Sequence, residues 1–340
     1  MAFYSGFVSI IGKPNVGKST LLNRLIQQKV SIVSPKPQTT RNKILGILNE
    51  DNYQIIFIDT PGIHKSNNKL DEYMDKTIKD AKNDGDITML VVDGTKKFTA
   101  DVYKLIQDTA SKFKTILVVN KVDATTYEKM YPVLADLSKI DGLIDIIPVS
   151  AKTGRNVDVL LAKIKENMPE GVKYFADDEY TDKSIRFMVA EIVREKALLY
   201  LQDEIPHGIA IDVVQFKEND KLTEIDVDLI CEKSGHKQII IGKNGDMLKQ
   251  IGSASRMDIE KLLNKKVFLR IFVKVRQEWR ENQTYVKELG YSDNWYIIAN
   301  YLHTLLVGDI MILRANIKDL CWELFRQTGQ INYYLLYRAF

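Results

Sequence analysis

From Gly6 to about Met168, short and almost wholly apolar runs alternate with stretches whose apolar positions recur every three to four residues. The runs Phe7–Ile11, Tyr53–Asp59, Ile87–Asp93, Thr115–Asn120 and Ile144–Val149 read as strands. Near-continuous hydrophobicity of this kind suits parallel strands buried on both faces. Ser19–Gln28 and Asp101–Lys112 carry helical spacing between them. Strands alternating with helices predict right-handed crossovers and a doubly wound, mostly parallel α/β sheet. The alternation stops near Pro169. Residues 170–182 are polar and irregular, with the acidic run Asp177–Glu179, and read as a linker. A different order follows: a long amphipathic helix from Ser184 to Glu204, strands at Gly208–Phe216 and Leu222–Cys231, and a glycine-containing turn. A helix to Leu263, a strand Val267–Val275 and a short helix to about Leu289 complete it. The chain therefore divides into an α/β domain over 1–169, a linker over 170–183, an α+β module over 184–290 and an apolar extension over 291–340. No internal repeat is visible, which excludes a solenoid or propeller.

Composition changes this picture little. Forty-eight Lys and Arg against 45 Asp and Glu leave a formal charge of +3, too small a surplus to mark a nucleic-acid binder by itself. The two cysteines, Cys231 and Cys321, show neither pairing nor metal-ligand spacing. That excludes a disulfide scaffold or zinc module and points to a reducing compartment. The first apolar run has no cleavage pattern, so no secretory leader is expected.

The chemistry lies where the strands end. Gly12-Lys13-Pro14-Asn15-Val16-Gly17-Lys18-Ser19, followed by Thr20, fits the phosphate-loop pattern between a strand and a helix. Backbone N–H groups of Asn15, Val16, Gly17 and their neighbours would wrap phosphates, aided by the helix N-terminus. Lys18 would reach the β- and γ-phosphates and the Ser19 hydroxyl would ligate Mg²⁺. A chance match in a glycine turn competes with this, but the strand–loop–helix context weighs against it. Asp59-Thr60-Pro61-Gly62 ends another strand, where a carboxylate can hold Mg²⁺ through water and the Gly62 N–H can face a γ-phosphate. Asn120-Lys121-Val122-Asp123 ends a third, where a carboxylate can accept two donors from a guanine edge. Ser150-Ala151-Lys152 ends the last, where a backbone N–H can meet guanine O6. Ligands of open α/β sheets bind at such carboxyl ends. The ordered set resembles a translation-factor-type GTPase.

In the second module, Ile239-Ile240-Ile241 reads as a strand leading into the turn Gly242-Lys243-Asn244-Gly245, and then a helix begins. A KH domain uses such a G-x-x-G turn to clamp about four nucleotides by backbone. The candidate RNA-binding residues are Ile241, Gly242, Lys243, Asn244, Gly245, Lys249 and Ile251, backed by a basic run from Lys233 to Arg280. A merely structural turn is the competing reading. The α-β-β-α-β order resembles the bacterial, type II KH arrangement.

Taken together, the asparagine of the phosphate loop, the segment Pro37-Gln38-Thr39-Thr40-Arg41 and the KH module are similar to the Era family of bacterial ribosome-assembly GTPases, over about residues 3–290. The resemblance implies that Thr40 closes on Mg²⁺ and the γ-phosphate, so that Lys18, Thr40 and Gly62 are the catalytic candidates and Ser19, Thr40 and Asp59 the metal set. Asn15 is associated, in related GTPases, with K⁺ beside the phosphates, which makes K⁺ a candidate second cation. Ile63 stands where Ras-like enzymes keep a glutamine. It has no donor or acceptor to orient water, so slow intrinsic hydrolysis is expected. His64 and Lys65, which follow it, read as solvated loop. The resemblance further implies GTP and GDP as ligands and the 3′ end of small-subunit (16S) ribosomal RNA and the 30S subunit as partners. A cytoplasmic monomer that does not bind DNA is expected.

Two rival readings stay open: a membrane-associated cell-cycle checkpoint GTPase, and an RNA-binding module that holds nucleotide structurally. Trp295–Leu313 is apolar enough to suggest a membrane span, but Asp309 alone would cost about 2.5–3.5 kcal/mol near a bilayer centre. The favoured reading of the extension is a fused or read-through appendage that packs on the KH surface or is only partly ordered; a contact with the ribosome, or a peripheral one at the inner face of the membrane, is the alternative. Residues 318–340 resemble the small bacterial YqzL family.

Overall fold

The computed structural model describes residues 2–63 and 66–291. His64, Lys65 and the extension beyond Tyr291, with its membrane-contact and YqzL-like readings, lie outside the described residues.

The first domain is built on β1 (Tyr4–Ile11), β2 (Ile44–Glu50), β3 (Tyr53–Asp59), β4 (Ile87–Asp93), β5 (Thr115–Asn120) and β6 (Leu143–Pro148). Their order across the sheet is β2-β3-β1-β4-β5-β6. All neighbours run parallel except β2, which pairs antiparallel with β3. The helices are α1 (Lys18–Ile26), α2 (Lys69–Asp84), α3 (Ala100–Ala110), α4 (Tyr127–Leu137) and α5 (Val157–Glu166). Every residue of β4 and β5 is buried, as their unbroken apolar runs demand. One face packs Leu21, Leu22 and Leu25 of α1 with Leu160 and Ile164 of α5; the other packs Ile106, Met130 and Leu137. Each such side chain stabilises the domain by roughly 1.5–3 kcal/mol when fully buried. Neither β2 nor α2 is evident from the pattern alone. α2 is started by Asn68, whose side chain accepts from the Asp71 N–H at 2.9 Å, with Asp71 and Glu72 in the first turn.

The second module contains α6 (Ile185–Tyr200), β7 (Ala210–Glu218), β8 (Leu222–Cys231), α7 (Ser234–Ile241), α8 (Asp246–Leu263), β9 (Lys266–Val275) and α9 (Gln283–Glu288). β8 is central, antiparallel to β7 and parallel to β9. The strand expected at Ile239–Ile241 is instead the end of α7, so the order is α-β-β-α-α-β. Ile240 is buried while Ile239 stays 54 % exposed. Val189, Ile192, Val193, Ile225, Val227 and Ile251 belong to this core.

Residues 170–183 are irregular, as expected, yet they are not a free tether. They run along the outer edge of β2. Ile47 N–H donates to Tyr180 O at 3.0 Å and Leu45 N–H to Asp182 Oδ1 at 2.9 Å. Gln54, fully buried, accepts from the Tyr174 and Phe175 N–H groups and donates to Phe175 O. The two modules also share a small apolar core: Leu70 and Met74 of α2 meet Ala210, Ile230, Trp279, Val286 and Tyr291.

Candidate functional site

Sheet topology brings the four strand-end motifs to one edge. The chain leaves β1 through the phosphate loop, flanked by the ends of β3 and β4, where the strand order turns in both directions. A cavity of about 320 Å³ opens there, between the loop and residues 32–40, with Lys18, Ser19, Thr40, Gly62 and Lys121 among its lining. A more open groove of about 770 Å³ lies between α1 and α5 and includes Thr20, Ala151 and Lys152.

Three oxygens converge at the first turn of α1. Ser19 Oγ lies 2.8 Å from Thr40 Oγ1 and donates to Asp59 Oδ2 at 2.7 Å; Thr40 Oγ1 is 3.4 Å from the same carboxylate oxygen. Ser31 Oγ donates to it as well, at 2.9 Å. The other oxygen, Asp59 Oδ1, is buried without a hydrogen-bond partner. An all-oxygen set with an orphaned carboxylate oxygen is what a small hard cation takes, so Ser19, Thr40 and Asp59 fit Mg²⁺. Beside them Lys18 is 6 % exposed and donates to the Gly12 and Lys13 carbonyls at 3.2 Å. Burial lowers its pKa to about 8, with Asp59 opposing the shift. Burial pushes the Asp59 carboxyl up, against the pull of Lys18 and the three hydroxyls. Each charge thus lacks part of its solvation until phosphate and cation supply it.

The remaining loops are braced from behind. Asn120 is buried: its amide donates to Val16 O at 2.8 Å and accepts from the Ala151 N–H at 2.9 Å, tying the phosphate loop to the Ser150–Lys152 loop. Asp123 is exposed and takes the Ser150 hydroxyl at 2.6 Å. Asp123 thus turns a carboxylate held by its neighbour toward solvent, while Asn120 braces the loops around it. Lys121 donates to Asn15 O at 2.7 Å and to Asp93 at 2.6 Å. Although burial pushes the Asp93 carboxyl up, the bonds from Lys121 and Thr95 outweigh it and hold it below its usual range. Asp93 escapes sequence reasoning because it ends β4 without a motif around it. Asn15, in a left-handed conformation, donates to Pro35 O at 2.8 Å. Thr60 Oγ1 donates to Ile10 O, Pro61 is buried, and Gly62 packs on Pro14. The half-buried Ile63 is held by its N–H, which donates to Gly12 O at 3.1 Å.

The G-x-x-G turn joins α7 to α8. Gly242, Asn244 and Gly245 all have positive φ, and Lys243, Asn244 and Lys249 are not buried. Ile241 is half-buried. Ile251 is fully buried in the module's core and cannot touch a ligand; its place among the RNA-binding residues is corrected. Apolar spacing marks a buried face and a nucleotide groove alike, and here it marks the former. Much of the basic run is internally paired: Arg270 forks onto Asp226 at 2.5 and 2.8 Å, Lys274 meets Asp228 at 2.6 Å, and Arg280 meets Glu232 at 2.6 Å. Among the described residues, no helix is long and apolar enough to cross a membrane.

Residues 7–121 match the family model described as 50S ribosome-binding GTPase, and residues 204–280 match the KH domain model. The chain is 52 % identical over 294 residues to GTPase Era of Clostridium beijerinckii, covering 86 % of this chain and 99 % of that one. It is equally 52 % identical over 292 residues to GTPase Era of Clostridium botulinum strain Alaska E43, covering 85 % and 99 %. Two solved structures superpose with a TM-score of 0.82 at 37 % identity, covering 86 % of this chain and all of theirs. One is a point variant of Aquifex aeolicus Era bound to GDP and AlF4⁻; the other is Era in complex with MgGDPNP and nucleotides 1506–1542 of 16S ribosomal RNA.

Proposed function

The chain belongs to the Era family of GTPases and hydrolyses GTP, and from that premise we propose that it is an Mg²⁺-dependent switch that binds the 3′ end of 16S ribosomal RNA and assists maturation of the 30S subunit. The observation that carries this reading is the meeting of the Ser19 and Thr40 hydroxyls with the buried Asp59 carboxylate beside Lys18. Thr40 belongs to the segment between α1 and β2, so a bond between it and a γ-phosphate site makes that segment sensitive to GTP against GDP. The RNA part is supported by the positive-φ turn at Gly242–Gly245, by the accessible Lys243 and Lys249, and by the 16S fragment held by the Era structure 37 % identical to this chain.

When bound, Mg²⁺ neutralises charge on the β- and γ-phosphate oxygens. Ser19 and Thr40 would be its hydroxyl ligands and Asp59 would hold it through water. Lys18 places its ammonium at the β- and γ-phosphates, where charge develops as water attacks. Asp123 accepts from the guanine edge, Lys121 and Asn120 brace the loop behind it, and the Ser150–Lys152 backbone meets O6. The Ile63 side chain contributes no donor or acceptor, so the attacking water must be oriented from elsewhere and unaided turnover is slow. Asn15 is the residue that would hold a K⁺ ion there. The protein acts as a cytoplasmic monomer.

Binding of an RNA oligomer from the 16S 3′ end, against a scrambled control at fixed salt, tests the proposal with GTP analogue, GDP and no nucleotide. Tighter, sequence-selective binding in the GTP state is expected. Equal weak binding to both RNAs in all three states would refute it.

A further inference from the structure

The segment that carries Thr40 is held from two sides, by its own domain and by the other module. Glu195 of α6 accepts from the Val33 N–H at 3.0 Å and pairs with Lys29 at 2.6 Å. Arg194 of α6, 1 % exposed, donates to the Thr39 carbonyl while forking onto Glu191 at 2.7 and 2.6 Å. On the other side of Thr40, Arg41 is equally buried. It donates to Ile209 O at 2.6 Å and His207 O at 2.9 Å, and lies over the Trp279 and Tyr291 rings, 5.9 Å from each centroid. Thr40 thus sits between two points of attachment to the RNA-binding module, and its side chain is the one aimed at Ser19 and Asp59.

We infer that Arg194 is a positioning residue for GTP hydrolysis: through the Thr39 carbonyl, with Arg41 as the second anchor, it sets where the Thr40 hydroxyl stands at the cation and γ-phosphate site. The inference rests on the role proposed above for Thr40. Its chemistry is directional. A guanidinium fixed by a bidentate carboxylate has little freedom left, so the carbonyl it binds is held at a defined point. The Thr39–Thr40 peptide then transmits that point to a hydroxyl one residue away. An error of about 1 Å in such a group costs on the order of a hundredfold in rate. GDP has no γ-phosphate, so its binding does not depend on this placement.

A double-mutant cycle on the full chain tests it, using kcat and KM for GTP, GDP affinity and the melting temperature. Thr40→Ala, Arg194→Ala and the double variant are compared. Because Arg194→Ala leaves Glu191 buried and unpaired, Glu191→Leu/Arg194→Met serves as a second route that removes both charges together. Expected is a fall of about tenfold to a hundredfold in kcat for the Arg194 variants, GDP affinity within about twofold of wild type, and a double variant no slower than Thr40→Ala alone. Arg194→Lys, which keeps a donor for the Thr39 carbonyl, should recover part of the rate. If Thr40→Ala itself leaves kcat unchanged, the reading of Thr40 fails. If Thr40→Ala is slow but both Arg194 variants turn over normally, or their losses multiply with it, the positioning role alone is overturned. A rate that falls only in step with GDP affinity and melting temperature would reduce Arg194 to a structural contact and overturn it too.

Discussion

Lys18 carries two opposed demands. Its burial in the folded chain favours the neutral amine and lowers its pKa from 10.5 to about 8, whereas nucleotide phosphates favour the ammonium. Two consequences differ in sign. Without nucleotide, the unfolded chain holds this proton between about 8 and 10.5 and the folded chain does not, so Lys18's contribution to stability rises with pH across that window. With nucleotide, binding above about pH 8 must recapture the proton, so GDP affinity should fall by up to about tenfold per pH unit there. Titration calorimetry in buffers of different ionisation enthalpy would show proton uptake at about pH 9 and little at about pH 7. A flat profile would contradict the assignment. Lys18, Ser19 and Asp59 were legible because motif spacing encodes their meeting. Asn120 as a strut was not, since its partners, the Val16 carbonyl and the Ala151 N–H, are backbone groups that no side-chain motif announces.

Among the elements, the glycines of the α7–α8 turn separate two kinds of cost. Gly242 and Gly245 both lie at positive φ, 76° and 81°. A Cβ on Gly242 would come within 2.8 Å of Met247 Cβ and 2.9 Å of its nitrogen, whereas one on Gly245 would meet nothing within 4 Å. Gly245→Ala should therefore cost only the backbone term, about 1–2 kcal/mol, and Gly242→Ala distinctly more; denaturant unfolding of both variants would order them, and equal losses would show that the close approach is relieved elsewhere. The same turn shows why α7 reads as a strand. Three consecutive isoleucines are a β-rich signal too short for periodicity to correct, and burial of Ile240 alone, not alternation, defines the face. β2 is hidden for the opposite reason. Its Gly46 interrupts the apolar run because α1 packs closely there, with Ile26 Cδ1 occupying the space that a Cβ would need.

Across the whole molecule, buried charge joins the modules. Arg41 closes the Pro37–Arg41 segment and Arg194 and Glu195 carry no motif, but nothing in the sequence announces that Arg41 meets the Ile209 and His207 carbonyls or that α6 meets the Val33 N–H and the Thr39 carbonyl. The fold class of the two modules was legible from the change in element order near Pro169; the interface was not, because its residues are scattered from Lys29 to Tyr291. Arg41→Ala would strand the Ile209 and His207 carbonyls and empty the space beside the stacked Trp279 and Tyr291 rings, a loss of about 3 kcal/mol concentrated at the interface. Scanning calorimetry is expected to show one transition for the parent chain and two for the variant. An unchanged single transition would mean that residues 170–183 and the α2 contacts suffice to couple the modules.

The course of residues 170–183 along β2 also bears on how this protein is divided in the laboratory. An unpaired outer strand is a template on which another chain can add, and here Tyr180, Thr181 and Asp182 occupy that template. A nucleotide-binding fragment cut after Pro169, where the α/β alternation ends, would bare the edge of β2 and leave the buried side-chain carbonyl oxygen of Gln54 without the Tyr174 and Phe175 N–H donors. Such a fragment would be prone to self-association for reasons unrelated to GTP. The boundary that keeps the sheet closed lies past Asp182, at the far end of what composition alone assigns to the connection.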